Sequence, residues 1–497
     1  MTDRARGTDG GRASVLVHYL RYLGGNIMVI AAGFVSFPIM TRLLDNHQFG
    51  VLGYYEAWLM VVSGLLKLGA QHAILRFYPH QGGRLALRRF RTDYLLVPLA
   101  ISLLLWLACV AVVVVLLGRF PADELPIVWI LLMTIPLLIW ASFVESIMYA
   151  LERSDISFWL KTVWRWSELA MVLVVIALIE RSALGVFAAR LVVLAIIVAW
   201  LTTWFLRWFR GRLARPTKPA VAAGLAFGLP MMLTELNTLL FGFADRILLR
   251  ALTGDFTNVG IYTIGYGLAM AVAALMGRTL DEAFLPTALR RYKESGAVAV
   301  VELKRDMLDV WVLAVGLVSA LLLCTGQELL IVLAGADKSA SAPVFVAVAL
   351  AMVWYSLFSV AQYGLLLQRR AMRFLVISMA ATSFNLVLNV PLILIFGVSG
   401  AVAATLLSYA FLAAVQYWQC PAELRYLPSV VRLLAAAAFG PVILALLNLV
   451  GYFGAESNGA RILVGAACVM VPALLLAAGD GHLRSNVRRL MAARAGS

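Results

Sequence analysis

Long apolar runs alternate with short polar stretches along the whole chain. A bilayer core about 30 Å thick needs roughly 20 apolar residues in a helix, and that rule predicts about fourteen spans. They centre near Ile30, Met60, Leu105, Leu138, Val174, Ile196, Thr234, Ala271, Val315, Ser356, Thr382, Leu407, Ile443 and Pro472. The first run begins behind a charged start and continues to about Met40, too long for the apolar region of a signal peptide, so it is expected to stay as the first span. One stretch, Thr41 to Pro79, recurs in looser form. In its first copy an apolar run ends at Thr41-Arg42, a polar turn is closed by Gly50, and a second run reaches Arg76-Phe77-Tyr78. In the second copy a turn through Asp255 and Asn258 leads into Val259-Gly260-Ile261-Tyr262 and on to Arg290.

Loop charge tests the span count. Every second loop is basic: Arg84 to Arg91, Arg153 with Lys161, Arg207 to Lys218, Arg290 to Arg305, Arg369 to Arg373, and Arg425 with Arg432. Arg4, Arg6 and Arg12 precede the first span, and Arg484 to Arg494 follow the last. The intervening loops hold at most one cation each, such as Arg42, Arg119, Arg181, Arg250, Lys338 and Arg461. The positive-inside rule then places both termini in the cytoplasm. An even number of spans separates the two copies of the repeat, so they run in the same direction. The fold expected is all-α and integral to the membrane. It has a six-helix bundle at 1–212, a second, parallel one at 213–420, and a two-helix hairpin with a tail at 421–497.

Composition sharpens this picture. Hydrophobic residues make up 63% and charged residues 13%, and mean hydropathy is +0.91; a soluble domain carries roughly twice that charged fraction. The balance of 41 Lys+Arg against 26 Asp+Glu does not point to nucleic acid, because the cations are dispersed among apolar runs. Cys109, Cys324, Cys420 and Cys468 stand singly and read as small buried hydrophobes, with no metal-ligand spacing. Nucleophile-elbow, zinc-hydrolase and Walker patterns are missing. Segments between spans stay under roughly 25 residues, too short for a soluble catalytic unit. No enzyme activity, no catalytic residue, no metal and no cofactor is expected.

Charge inside a span costs about 2.5–3.5 kcal/mol on insertion scales, so such residues are the default functional candidates. Lys67, Arg165, Arg190, Arg246 and Arg278 are the candidate substrate contacts, because Arg grips phosphate oxygens with paired donors and Lys adds a point charge. Glu168 and Glu235 are the deepest acids and candidates for ion coupling. Arg165 with Glu168, and Arg278 with Asp281, are three apart on a helix and can instead neutralise each other locally. Asn26, Asn237, Asn385 and Asn389 read as hydrogen-bonding groups between helices, and Trp164 and Trp166 as flanks of Arg165 that could stack on sugar rings.

TRLLDNHQFGVLGYYEA with LLKLGAQHAILRFYP resembles the first two spans of the Wzx-type polysaccharide flippases, in the multidrug/oligosaccharidyl-lipid/polysaccharide (MOP) exporter superfamily. FADRILLRALTGDFTNVGIYTIGYGLAM resembles the seventh-to-eighth span junction of that family, and NLVLNVPLILIFGVSGAVAATLLSYA its eleventh-to-twelfth hairpin. Arg76 and Asp245-Arg246 match recurring positions. The resemblance implies two bundles around a central, cationic cavity with alternating access. It implies a polyprenyl-diphosphate-linked oligosaccharide moved from the cytoplasmic to the periplasmic leaflet of a bacterial inner membrane. Membrane lipids would be partners, as would polysaccharide polymerase and export machinery. About fourteen spans, rather than the twelve common among O-antigen members, resembles the lipid II flippase branch or some exopolysaccharide exporters. A multidrug/cation antiporter would instead need an acidic cavity, and no acid lies between Arg21 and Arg42. A non-transporting scaffold of a glycan-assembly complex is the third reading.

Overall fold

The computed structural model describes residues 28, 31–80, 83–208, 213–449 and 457–479, without the side chains of 154, 208, 278–283, 371 and 473–479. The basic residues of both tails, Asn26, Arg210 and Arg212 lie outside the described residues. Among those described, the chain is helical and has no strand. The first half contains α1 (Ala31–Leu43), α2 (Asn46–Leu66), α3 (Ala70–Phe77), α4 (Arg84–Phe90), α5 (Val97–Val115), α6 (Leu125–Ala150), α7 (Ser154–Leu178) and α8 (Ala183–Trp208). Then come α9 (Lys218–Thr253), α10 (Phe256–Ala334), α11 (Ala342–Ser359), α12 (Gln362–Leu367), α13 (Ala371–Phe396), α14 (Val398–Gln419), α15 (Val430–Leu449) and α16 (Asn458–Gly479). Every expected span centre from Met60 onward falls within one of these helices.

Among the described residues, 11 segments are long and apolar enough to cross a membrane. Their outward side chains match a bilayer as solvent: Val115, Leu178 and Leu449 are 83%, 79% and 83% exposed. The hydrocarbon tails that meet such side chains give helices no hydrophobic reason to associate, so packing relies on close contact and polar pairs. α7 is less apolar than these segments because Asp155, Lys161, Arg165 and Glu168 lie between its start and the turn just past its midpoint.

The structure corrects several sequence expectations. The first hairpin turn closes at Asp45, before Gly50: the Asp45 carboxylate caps α2 by accepting from the Gln48 amide at 2.7 Å. Gly50 is a buried residue inside α2. The second copy closes in the same way, with Asp255 accepting from the Thr257 amide at 2.8 Å at the start of α10. The second span is two helices, because Leu68 (φ 54) and Gly69 (φ 65) take left-handed conformations between α2 and α3. Arg290 to Arg305, expected as a loop, lie in the ends of two helical stretches of α10 that meet at a kink at Gly296 (φ 74, ψ −160), so the interruption is present but takes a single residue. Lys161 lies inside α7.

The chain forms two compact units, Met1–Ile247 and Leu248–Ser497, and α9 runs through the division. Within the first unit the break in the second span lies against α9: a Cβ on Gly69 would sit 2.0 Å from the Gly228 carbonyl oxygen. Only glycine fits there, for its left-handed φ and for this backbone-to-backbone approach.

Within the second unit, α15 and α16 pack on α10. Ala320, Cys324, Ile443, Leu447 and Val469 form one buried cluster, and a Cβ on Gly440 would come 3.0 Å from the Ala320 Cα. The linker ahead of α15 is tied to the same helix. Lys304 Nζ donates to the Leu424 carbonyl at 2.8 Å, Tyr426 Oη to Asp309 at 3.0 Å, and Arg432 pairs with Asp309 at 2.5 Å. Burial, and then the hydrogen bond to Asp309, push the Tyr426 phenol up to about 12, so it remains a donor. Asn385 donates to Ser408 at 3.2 Å, joining α13 to α14, and Asn389 donates to Asn385 at 3.0 Å.

Gly69→Ala is expected to lower the thermal midpoint of the detergent-solubilised protein at a cost above about 2 kcal/mol. Gly118→Ala, whose Cβ would meet nothing within 4 Å, serves as the control and leaves the midpoint in place.

Candidate functional site

Lys161, Trp164, Arg165 and Glu168 follow the i, i+3, i+4, i+7 spacing and share one face of α7. In a helix surrounded by lipid that polar face must turn toward protein. Here it lines a cavity of about 390 Å³ inside the first unit, walled also by Glu56 and Met60 of α2, Thr134 and Glu145 of α6, and Arg190 of α8. Trp166, expected beside Trp164 as a stacking partner, is 38% exposed and is not part of the wall.

The charged groups are joined in a ladder. Arg190 Nε lies 3.0 Å from Glu168 Oε1, and its Nη1 lies 3.6 Å from Glu56 Oε1. Arg165 Nη1 approaches the same Glu168 oxygen at 3.3 Å. Lys161 stands 3.9 Å from Glu145, which accepts a 2.7 Å hydrogen bond from Tyr149. Lys161, Arg165 and Arg190 face Glu56, Glu145 and Glu168, so the wall carries three positive and three negative groups and is formally neutral. Arg165 has the most exposed side chain of the six at 40%, and Glu168 the least at 15%.

Sequence reasoning named Arg165, Glu168 and Arg190, and the structure brings these together. It missed Glu56 as a charge within α2 and placed Lys161 in a loop. The signals were present: Glu56 and Lys67 lie 11 residues apart on one apolar run, and Lys161 completes the polar stripe of α7.

Lys67 and Glu235 form a separate cluster in the same unit. Lys67 Nζ meets Glu235 Oε1 at 2.5 Å, Gln71 donates to Oε2 at 2.5 Å, and His72 Nε2 stands 4.0 Å from that oxygen. Lys67 therefore has a partner on another helix, invisible from its own. Arg246 is buried near the end of α9, donates to the Gly242 carbonyl at 2.8 Å, and lies 5.0 Å over the Phe243 ring. It is not on the cavity wall. The side chain of Arg278 lies outside the described residues.

Charged groups around open space inside a bundle of apolar helices are the feature by which substrate or ion pathways are sought in membrane proteins. The chain superposes on the "Lipid II flippase MurJ, inward closed conformation" with a TM-score of 0.73 at 11% identity, covering 92% of this chain and 99% of that one. It superposes on an inward-facing "multidrug resistance MATE family transporter of the MOP superfamily" with a TM-score of 0.58 at 13% identity, covering 82% and 96%. These likenesses establish the fold of the MOP transporters, in a multi-pass membrane protein. The model of a family described as "Polysaccharide biosynthesis protein" matches residues 16–290, more than half the chain, and the protein belongs to that family. No curated protein matches its sequence.

Breaking a buried ion pair from one side costs about 3–5 kcal/mol, while replacing both partners by apolar groups is often near neutral. The side chains of Lys67 and Glu235 are only 16% and 24% exposed. Glu235→Met is therefore expected to depress the thermal midpoint more than the double variant Lys67→Met/Glu235→Met, as a double-mutant cycle in detergent would read.

Proposed function

We propose that the protein is a flippase that carries polyprenyl-diphosphate-linked oligosaccharide units across a bacterial inner membrane for exopolysaccharide, capsule or O-antigen assembly. The observation that supports this reading is a charged, ligand-sized cavity set among the apolar helices of a polysaccharide biosynthesis family member. The substrate is amphiphilic, so only its head group needs a polar route while the polyprenyl tail stays in lipid. The expected bundles at 1–212 and 213–420 would provide that route by alternating access, with the hairpin at 421–497 as an appendage.

Among the five candidate cations, Arg165 is the one we assign to the diphosphate. Its side chain is the most exposed of the charged groups on the cavity wall and is paired with Glu168 at a long 3.3 Å. Arg190, held between Glu56 and Glu168, positions that carboxylate. Lys67, Arg246 and Arg278 remain further contacts along the transport path. Protonation of Glu168 or Glu235, or exchange of their cationic partners, would loosen these ion pairs and couple transport to an ion gradient. Polysaccharide polymerase and export machinery would consume the delivered units.

Depleting the protein is expected to leave lipid-linked repeat units in the cytoplasmic leaflet, read by a leaflet-selective label. Arg165→Ala, at normal protein level, should lower delivery about tenfold, the loss of one charge-assisted contact. Undiminished delivery to the outer leaflet in depleted cells would sink the proposal.

A further inference from the structure

We infer that α4 is a binding site for the head group of an anionic phospholipid, in the leaflet that the positive-inside rule makes cytoplasmic. The site is separate from the cavity, and its ligand is a bilayer lipid whatever cargo the protein carries. Length places the helix. α4, the π-helical turn Arg91–Leu96 and α5 join without a break into one rod from Arg84 to Val115. Its 32 residues extend about 48 Å, against about 30 Å of hydrocarbon and about 40–45 Å with both head-group layers. The far end of α5 is wholly apolar, so the surplus length falls on α4, which lies at the head groups. The rod is also the least covered of the 11 spans found among the described residues, with only 11% of its apolar stretch buried. Leu104, Leu107 and Val112 are exposed along it. α4 therefore stands beside lipid.

Charge names the ligand. Arg84, Arg88 and Arg89 are exposed, and α4 contains no acid. Arg84 and Arg88 are four residues apart, so their side chains are neighbours and repel each other. In other basic stretches cations are matched: Arg153 pairs with Asp155 at 2.9 Å, and Arg432 with Asp309 at 2.5 Å. Asp93, just beyond α4, is buried and accepts instead from the Thr217 amide at 2.8 Å. A phosphodiester between Arg84 and Arg88 replaces their repulsion with charge-assisted hydrogen bonds, and guanidinium groups grip phosphate oxygens with paired donors. Leu85 and Arg89 form the adjoining row. Leu85 is 59% exposed and offers the glycerol and upper acyl chain an apolar contact, as helices at the membrane interface do. A free phosphate gains nothing from it. The platform is rigid as well. Phe90 is buried, with its ring edge-on to Tyr78 at 5.2 Å and 6.0 Å from Tyr94, which stacks on Phe77 at 4.7 Å. A packed helix displays the arginines, so little ordering opposes binding.

The test titrates lipid-depleted, full-length protein in detergent with short-chain phosphatidylglycerol or phosphatidylcholine, reading the first bound lipid by native mass spectrometry. Phosphatidylglycerol is expected to bind at least tenfold more tightly. One basic residue at an anionic surface is worth about fivefold in affinity, so Arg84→Gln, Arg88→Gln and Arg89→Gln should each weaken it by about that factor. Leu85→Gln should weaken both lipids. Arg119→Gln, at the other end of the rod, should leave both affinities in place. Equal affinity for the two lipids in the wild type, or a preference that survives all three arginine replacements together, overturns the site. Inorganic phosphate that displaces phosphatidylglycerol at equal concentration marks a soluble-anion site and overturns the proposal too. If the triple variant does not fold, the three single variants decide, and unchanged affinity in each overturns it.

Discussion

Ionised side chains among apolar helices must find their counter-charges inside the protein, and this constraint shapes the first unit. Arg190 would be costly in a helix as apolar as α8. It is held because Glu56 on α2 and Glu168 on α7 supply carboxylates from two sides. The ladder thus joins three helices that lipid alone would give no reason to associate. Lys67 and Glu235 do the same between the broken second span and α9. Where the cations and acids of this ladder surround open space rather than packed side chains, the pairing leaves a polar cavity among apolar helices.

Backbone geometry places the second cluster. The left-handed pair Leu68-Gly69 interrupts the helix directly after Lys67 and seats Gly69 against Gly228. α9 carries Pro230 one turn before Glu235. Discontinuous membrane helices expose backbone groups only where protein covers them, and here glycine-to-glycine contact provides that cover. In the second unit the linker before α15 is secured by Lys304 and Asp309. This anchors the last hairpin to α10 through polar contacts at its base and small-residue packing along its length.

Much of the architecture was legible from hydropathy alone. The all-helical class and the position of the spans follow from run length, whereas the closure of both hairpin turns by a capping aspartate, Asp45 and Asp255, emerged from the cap geometry. The break at Leu68-Gly69 was not legible, because leucine at positive φ contradicts local preference and exists only through packing against α9. Nor were the helical stretches on either side of Gly296, where a dense run of cations reads as a loop although nothing in Arg or Lys opposes helix formation.

The site divides along the same line. Sequence determined which residue types would sit among apolar helices, and the three-residue spacing of Arg165 and Glu168 set them on one face of a helix, whereas Lys161 read as part of a loop and joined that face only in the structure. Sequence also determined that charged groups there would need partners. Only the tertiary structure decided which partners: Glu56 and Glu168 for Arg190, Glu235 for Lys67, Glu145 for Lys161. Those pairs join residues up to 168 positions apart, and helical periodicity carries no information about which helices become neighbours. The neutrality of the cavity wall, as opposed to the excess of positive charge that a count of intramembrane arginines suggests, is a property of that pairing and exists only once the helices have packed.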